Sequence, residues 1–395
     1  MTDRTPLPPP HVSAAPVAGW FPDPMRAGAG WRWWNGTAWT TFTEQSPSPS
    51  VRKPRLPRWL SVPIACCAPL VVLAIVILAF TETLAVVAGL VPLVIVLPVI
   101  AWLDRIEPEP RASRVHAMLW GASVAIVVAL TVNTLVQVIA GDVAAMVISA
   151  PLVEEAMKAL GVVWAVRRNE VDGVSDGIVY AAWVAVGFAV VEDMSYFAIA
   201  SVDGSLAPVF VVRAILTPFA HPLFTFWSGL AIGRAVRNGR SVWRTAWWGY
   251  ALAVVCHVAW NGSLSIGQIT TDIDDDIEVA VILITFGLFV VLFVAVAIAL
   301  IKLRGNERRR FVAAVPGLVL RYHVAPDEAL VFADWTRMRR HRRALPRPAR
   351  SDFDHLHASM ARLWLLAERA GEIDPEAERV LVAQLDAART KLRSR

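Results

Sequence analysis

Eight apolar runs of about 20 residues constrain the possible folds of this chain more than any other feature. A helix of about 20 apolar residues crosses the hydrocarbon core of a bilayer. The composition agrees, because 56% of the 395 residues are hydrophobic and the mean hydropathy is +0.51. The pattern predicts an all-α polytopic membrane protein with about eight transmembrane helices. The predicted spans are 62–80, 84–103, 115–138, 143–166, 175–200, 208–233, 245–265 and 278–301.

The basic residues between these runs follow an alternating pattern. Eighteen Lys and Arg residues lie in five segments that flank alternate ends of the spans, and the connections 81–83, 139–142, 201–207 and 266–277 carry none. The five segments are 52–58, 104–114, 167–168, 234–244 and 302–310. The positive-inside rule then predicts a multi-pass protein of the cell membrane with both termini in the cytoplasm. This distribution accounts for the net charge of +5, so the lipid bilayer is an expected partner and nucleic acid is not.

The two ends of the chain differ in composition from the membrane spans. Asn35-Gly36 between aromatic segments predicts a small β-hairpin, whose tryptophans form either its core or a docking surface for a protein partner or lipid headgroups. The tail contains amphipathic helical patterns, and its basic cluster 337–343 is either a solvated face or a contact for anionic lipid or a partner. The predicted divisions are a disordered start 1–17, a Trp-rich hairpin module 18–45, a Pro/Arg linker 46–58, an eight-helix membrane core 59–303 and a helical cytoplasmic tail 304–395.

Two adjacent carboxylates and a lysine interrupt the fourth apolar run. Glu154, Glu155 and Lys158 lie inside 143–166, where an ionisable side chain costs at least about 2.5–3.5 kcal/mol to insert. Such groups usually face the interior of a helix bundle or a wet cavity and serve function there. Adjacent helical residues point about 100° apart, so only one glutamate can face a given reacting atom, and the sequence leaves open which one. Lys158 can pair with either.

Three further spans bring chemically capable side chains to a similar depth. Glu192 lies in the fifth span, His221 in the sixth and His257 in the seventh. At a rise of 1.5 Å per residue, the glutamates of the fourth span lie ~17 Å from its outer end, Glu192 and His257 ~12 Å and His221 ~20 Å. This common layer predicts one site that is assembled from four helices.

Imidazoles and carboxylates in one layer are compatible with two chemistries. Two imidazoles and a carboxylate are typical ligands of a zinc site with an open position, so we predict Glu192, His221 and His257 as metal ligands and a divalent metal such as zinc as the cofactor. Alternatively, a carboxylate activates water without a metal. In that case the histidines and Asn261, four residues after His257, stabilise the oxyanion. Both chemistries lead to hydrolysis.

The order and spacing of these residues resemble a known family over about residues 90–303. The PrsW family of intramembrane proteases, part of the group that contains the type II CAAX prenyl endopeptidases and the CPBP proteins, is similar in Glu154-Glu155-x-x-Lys158, Phe188-x-x-x-Glu192, His221, and His257 with Asn261. The resemblance implies an eight-helix membrane core. The catalytic candidates that it implies are Glu154, Glu155, Glu192, His221, His257 and Asn261. Asp193 stands where the family usually has asparagine.

This resemblance implies a protease that acts on membrane-bound proteins. The member that gives the family its name cleaves an anti-sigma factor and so begins regulated intramembrane proteolysis. We therefore expect a membrane-embedded endopeptidase with a membrane-bound protein substrate. Two alternatives remain open: a proton- or cation-coupled transporter, in which buried Glu and His relay ions, and a non-catalytic scaffold that docks through its two ends. Residues 18–45 resemble a short Trp-rich module of unknown function found in many actinobacterial membrane proteins.

Overall fold

The computed structural model divides into two compact units, Arg55–Gly305 and Met1–Pro54 with Asn306–Arg395. The residues that it describes are 19–22, 31–34, 39–44, 61–105, 107–265, 275–322, 330–332, 334–368 and 375–393. The predicted start 1–17, the turn at Asn35-Gly36 and the linker 46–58 lie outside the described residues.

Helices make up the membrane unit, as the long apolar runs predict. Their bounds are α1 Val62–Thr81, α2 Thr83–Leu103, α3 Arg111–Leu119, α4 Ile126–Ala140, α5 Ala150–Arg167, α6 Val174–Val202, α7 Leu206–Phe210, α8 Ala220–Arg237, α9 Val242–Leu264 and the first part of α10 Asp275–Tyr322. Short π-helical segments precede α4, α5 and the break before α8, at Trp120–Ala125, Ala144–Ser149 and Val211–Leu216. Segments of this kind occur frequently at functional sites.

Each of the eight predicted spans is mainly helical, with a break in 208–233 just before α8, and six of the described helices are long and apolar enough to cross a membrane. Those six are Val62–Thr81, Thr83–Leu103, Arg111–Ala140, Val174–Val202, Leu206–Arg237 and Val279–Pro316. The other two predicted spans are α5, which carries three ionisable groups within two turns, and α9, which carries His257 and Asn261. The two predicted spans that are not among these six therefore both carry candidate site residues. The all-α polytopic membrane fold is confirmed.

Helix α6 lies at the centre of the membrane unit, and α2, α3, α5 and α8 pack around it. Its contact with α8 is close because glycines meet there: a Cβ on Gly177 would lie 2.4 Å from the carbonyl oxygen of Gly229 and 2.9 Å from the Cα of Gly233. Small residues four positions apart let membrane helices approach to backbone contact. This close packing fixes Glu192 on α6 relative to His221 on α8.

The last membrane helix is longer than the sequence predicts. The predicted span ends at residue 301 and the predicted tail begins at 304, but α10 continues without a break to Tyr322 and includes Pro316. The chain beyond Leu303 is rich in arginine and glutamate, residue types that favour helix even outside a membrane, so the end of the apolar run does not end the helix.

The N-terminal module forms three strands rather than the predicted hairpin of two. The strands β1 Gly19–Pro22, β2 Trp31–Trp34 and β3 Trp39–Glu44 pair antiparallel in the order β1-β2-β3. Trp34 lies opposite Trp39 in the β2–β3 pair, and Gly19 lies opposite Trp34 in the β1–β2 pair. The extra strand is the Gly-Trp-Phe-Pro segment, which is too short to reveal a strand period by itself.

The tail contains the helices α11 Trp335–Ala344, α12 Arg347–Glu368 and α13 Pro375–Arg393. The Asp334 side chain caps α11 by accepting bonds from the backbone N–H groups of Thr336 and Arg337 at 2.9 and 3.2 Å. Within the basic cluster, Arg342 donates two hydrogen bonds to Asp354 of α12, at 2.6 and 2.8 Å. One of the clustered arginines therefore holds α11 against α12.

Candidate functional site

A fully buried ammonium group lies at the centre of the intramembrane cluster. Lys158 is 0% exposed, and its Nζ lies 3.2 Å from Glu154 Oε2 and 3.0 Å from Glu155 Oε1. The same Nζ lies 2.9 Å from Nδ1 of His221 and 4.1 Å from the centre of the Phe188 ring. One cation therefore bridges both glutamates of α5 to the histidine of α8, and its charge offsets part of the cost of burying two carboxylates.

The chemistry of Lys158 fixes the tautomer of His221. An ammonium group only donates hydrogen bonds, so Nδ1 of His221 accepts from Lys158 and the ring proton lies on Nε2. That Nε2 donates to Glu192 Oε2 at 2.9 Å. His221 is therefore a neutral imidazole, held between a cation on one side and a carboxylate on the other.

Glu155 points into the protein interior. Its side chain is 0% exposed, Oε2 accepts a bond from the Thr225 hydroxyl at 2.9 Å, and Oε1 accepts from Nδ1 of His257 at 3.2 Å. A proton on Nδ1 of His257 leaves Nε2 as the unprotonated nitrogen of that ring. The Phe224 ring stacks on His257 with 4.7 Å between ring centres, which also restricts the orientation of the imidazole.

Arg213, from the π-helical segment before α8, completes the cluster. Its guanidinium pairs with Glu192 and donates to Asp193 Oδ1 at 2.6 Å, and it lies over the Tyr196 ring at 3.9 Å. A planar guanidinium can contact two carboxylates at once, which an ammonium point charge cannot do with the same geometry. The acidic pair of α6 is thus held in place by one arginine.

A cavity of about 430 Å³ opens beside this cluster. Glu154, Glu192, His221, His257 and Asn261 line it. Asn261 also donates to the backbone carbonyl of Met146 at 2.8 Å, so its amide nitrogen supports the π-helical segment before α5. The cavity has the size and the mixed polar and apolar lining of a binding site.

The structure thus brings together all six candidate residues of the sequence. The surroundings of the two adjacent glutamates differ. Glu154 lines the cavity, whereas Glu155 is bonded to Thr225, His257 and Lys158 away from it. The predicted metal ligands also differ from the group that the geometry assembles. Among the described residues of this cluster, the ligand atoms of Glu154, His221 and His257 lie within 4.8 Å of one another, while Glu192 is bonded to His221 and Arg213.

This cluster fits a divalent metal in donor chemistry and in its surroundings. Two imidazoles and one carboxylate form a zinc-type donor set. Among the described residues, four acidic side chains line the cavity together with the basic side chain of Arg213. The acidic residues are Asp142, Glu154, Glu192 and Asp193. A bound cation would offset part of this negative charge in a region where unpaired charge is costly.

Comparison with known proteins agrees with this site. Residues 109–301, just under half of the chain, match the family described as PrsW family intramembrane metalloprotease. Over these residues the chain is similar to the PrsW family. It is 31% identical over 151 residues to Protease PrsW of Geobacillus kaustophilus (strain HTA426), and 31% identical over 153 residues to Protease PrsW of Clostridioides difficile (strain 630).

These alignments cover 38% and 37% of this chain and 65% and 63% of the two relatives, so the chain spans slightly less than two thirds of their lengths. Residues 18–52 match a second family, described as Protein of unknown function (DUF2510). No solved structure matches the chain.

Two residues that contact the candidate site were not predicted from the sequence. Arg213 is the intramembrane partner of Glu192, and Thr225 is a hydrogen-bond donor to Glu155. Arg213 carried a usable signal, because an arginine inside an apolar run needs a buried acidic partner for the same reason that Glu154 and Glu155 do. Thr225 carried none, because threonine is common in membrane helices and usually bonds to its own backbone.

Proposed function

We propose that this protein is an intramembrane endopeptidase that hydrolyses a peptide bond of a membrane-bound protein with an activated water molecule. One observation carries the proposal: Glu154 lines a cavity together with His221 and His257, and all three offer ligand or base atoms within 4.8 Å of one another. The PrsW relatives support the same reaction class.

In this proposal Glu154 is the group that takes the proton of the attacking water. It is the α5 glutamate that lines the cavity, and only its Oε2 is bonded to Lys158. A carboxylate within reach of a water molecule contributes about 10²–10⁴ in rate as a general base. Lys158 Nζ lies 3.2 Å from Oε2 of Glu154, so this contact holds the carboxylate in place at the cavity.

Glu155 has a positioning role in the same scheme. Its bond to Nδ1 of His257 fixes the ring so that Nε2 is the nitrogen available to a ligand, in the manner of a carboxylate that orients a metal-binding histidine. Thr225 holds the other oxygen of Glu155. Glu192 similarly orients His221 through Nε2.

A divalent metal such as zinc fits this site as the cofactor. His221 and His257 would hold it, with His221 exchanging one of its two present partners for the ion, and Glu154 would lie beside it as the base for the attacking water. When bound, the metal would act as a Lewis acid that lowers the pKa of a coordinated water and polarises the substrate carbonyl.

The chain's own residues suggest the class of substrate. The cavity lies among membrane helices, so the scissile bond would belong to a membrane-bound protein, and a single-span anti-sigma factor is the substrate type that we propose. We also propose that 59–303 is the catalytic core, that both termini are cytoplasmic, and that the Trp-rich module and the basic tail contact further partners. Reporter fusions at each terminus and in the predicted external connections test that orientation.

Cleavage of defined membrane proteins tests the proposal. Wild-type protein in proteoliposomes is incubated with a panel of single-span membrane proteins, each tagged at both ends, and new fragments are sequenced. The wild type is expected to cut at least one panel member, while Glu154→Gln and His221→Ala cut none although both still insert. Thr131→Val, on a face of α4 away from the cavity lining, is the matched control. Normal cleavage by both site variants would refute the site, and ion flux without cleavage would favour a transporter.

A further inference from the structure

One face of α4 lines the cavity at helical spacing, and the opposite face does not. The cavity-lining residues of this helix, which we call the α4 stripe, are Ile126, Ala129, Leu130, Asn133, Thr134 and Gln137. They recur at intervals of three and four residues, which places them on one side of the helix. Away from the stripe, Leu135 and Val138 are 58% and 81% exposed and suit contact with lipid.

The C-terminal half of the α4 stripe is polar, although it belongs to a helix long and apolar enough to cross a membrane. Asn133 Oδ1 accepts a bond from the Ser149 hydroxyl at 2.8 Å, and Gln137 Nε2 donates to Asp142 at 2.8 Å. Each contact engages one end of an amide. The other ends are a donor group, Nδ2 of Asn133, and an acceptor, Oε1 of Gln137. Both belong to side chains that line the cavity.

A donor and an acceptor beside the cavity match the needs of a peptide that is about to be cleaved. In a substrate helix the scissile carbonyl is hydrogen-bonded and wrapped by side chains, so hydrolysis requires local unwinding. Unwound backbone in a bilayer leaves N–H and C=O groups that each cost several kcal/mol without a partner. A groove that supplies hydrogen-bond partners lowers the cost of unwinding a peptide. A lipid acyl chain has no donor or acceptor groups and would not bond to such a groove.

The dimensions of the stripe also suit an extended chain. The eleven-residue distance from Ile126 to Gln137 corresponds to about 16 Å along the helix axis, which equals roughly five residues of extended chain at about 3.3 Å each. The same cavity reaches Glu154, His221 and His257. A chain lying along α4 would therefore pass the candidate reacting groups.

We propose that the α4 stripe is the binding groove for an unwound, extended segment of a membrane-bound substrate. In this groove Asn133 and Gln137 hydrogen-bond to the substrate backbone, and Leu130 contacts its side chains. This inference rests on the proposed proteolytic function and adds to it the place and the conformation in which the substrate binds.

Site-directed photocrosslinking tests the groove. A photoreactive phenylalanine analogue replaces Leu130 or Leu135 in a Glu154→Gln background, so that bound substrate is not released by cleavage. The two positions are matched, because they are leucines of the same helix that are 52% and 58% exposed, and only Leu130 lines the cavity. The probe is each member of the tagged single-span panel in proteoliposomes. We expect adducts at position 130 to exceed those at 135 by at least about tenfold.

The outcomes separate this inference from the proposed function. Equal adducts at both positions, or none at either while the wild type cleaves the panel member, would overturn the groove and leave the protease assignment intact. If the wild type cleaves no panel member, the protease assignment fails. Selective adducts at 130 would then still support a peptide groove, and their absence would overturn it as well.

A kinetic comparison tests the hydrogen bonds themselves. Asn133→Leu and Gln137→Met keep the approximate side-chain shape but remove the amide, and each is expected to lower kcat/KM about two- to tenfold, the loss for one hydrogen bond. Thr131→Val, which removes a hydroxyl bonded to its own helix at Val127, is expected to change kcat/KM less than twofold. Equal effects of all three substitutions would contradict the inferred backbone contacts.

Discussion

Helix α6 carries a buried acidic cluster near each end, and the two clusters differ in what surrounds them. Near the C-terminal end, Glu192 and Asp193 pair with Arg213 and reach His221. Near the N-terminal end, Asp176 accepts bonds from the backbone N–H groups of Asp172 and Gly173 at 3.0 and 2.8 Å. The first cluster lines a cavity, whereas the second ties a helix start to its preceding loop.

The N-terminal cluster continues into neighbouring elements in the same structural manner. The Tyr180 hydroxyl donates to Glu109 Oε2 at 2.8 Å. Asp104 accepts from the backbone N–H of Glu109 at 2.9 Å and pairs with Arg114 at 3.0 Å. These acidic groups bond to backbone, to a phenol and to an arginine, and among the hydrogen bonds described here none involves an imidazole. Burial of acids therefore does not by itself identify a reactive site; here the site is where acids, imidazoles and a cavity coincide.

The largest expected contrast is in metal content. His257→Asn removes one of the imidazoles closest to Glu154, so bound divalent metal should fall from about one per chain to near zero and cleavage should fall at least about 100-fold. Tyr180→Phe, in the N-terminal cluster, should keep the metal. Elemental analysis of the purified proteins measures both, and metal retained in the His257 variant would contradict the proposed ligand set.

Removal of the central cation should have a large effect on stability. Lys158→Met leaves Glu154 and Glu155 buried without their cation, which we expect to cost about 3–5 kcal/mol. Arg114→Met removes one partner of the buried Asp104, whose side chain is 4% exposed but keeps the bond from the Glu109 N–H, so about 1–3 kcal/mol is expected there. Denaturant unfolding in detergent micelles gives the two values, and equal losses would show that the two clusters are energetically alike.

Substitution of Arg213 should change the rate more than the binding. Arg213→Gln frees Glu192 to move, so His221 loses its fixed partner, and we expect kcat to fall about 10–100-fold with KM changed less than threefold. Arg213→Lys should recover only part of the loss, because an ammonium group cannot reproduce the paired contacts of a planar guanidinium with two carboxylates. A KM increase with unchanged kcat would show that Arg213 binds substrate instead of positioning Glu192.

A smaller effect is expected at the tyrosine of the N-terminal cluster. Tyr180→Phe leaves Glu109 without the phenol hydrogen bond, at a cost of about 1–3 kcal/mol in unfolding free energy. Cleavage per folded molecule should stay within about twofold of wild type. A loss of catalysis without a loss of stability would mean that this cluster also takes part in the chemistry.

The smallest effect is a dependence of stability on pH. Burial raises the pKa of Asp104 to about 7 against the opposing influence of the Glu109 N–H and Arg114. A carboxyl group with a raised pKa holds its proton more tightly when folded, so its contribution is fully present below pH 4 and is lost as the pH rises to about 7. Asp104→Asn should flatten this part of the profile of melting temperature against pH. An unchanged slope would show that other groups produce it.

The sequence predicted the site better than it predicted the contacts within it. Motif order and depth brought together Glu154, His221 and His257, because helical spans convert sequence position into depth. Adjacent glutamates share one depth, however, so the choice between them required the positions of Thr225 and the cavity. The contact of Glu192 with Arg213 could not be predicted, because a contact between separate helices leaves no spacing in the sequence.

The ends of the predicted elements show the same limit. The aromatic pattern predicted β structure in the N-terminal module, but the four-residue strand β1 was too short to recognise. The apolar run predicted a span that ends at residue 301. The helix α10 continues to Tyr322, because the residues that follow the run favour helix. Local sequence patterns therefore predicted which segments are helix or strand, but they did not predict where each element begins or ends.

If hydrolysis occurs at the cavity cluster and not at the other acidic cluster of α6, loss of a carboxylate matters for cleavage at the first cluster only. The most direct test compares cleavage per folded molecule in proteoliposomes for wild type, Glu154→Gln and Asp176→Asn. Each substitution replaces one buried carboxylate by an amide of similar size. We predict at least a 100-fold loss for Glu154→Gln and less than a threefold change for Asp176→Asn. Equal losses, or a larger loss for Asp176→Asn, would contradict the account.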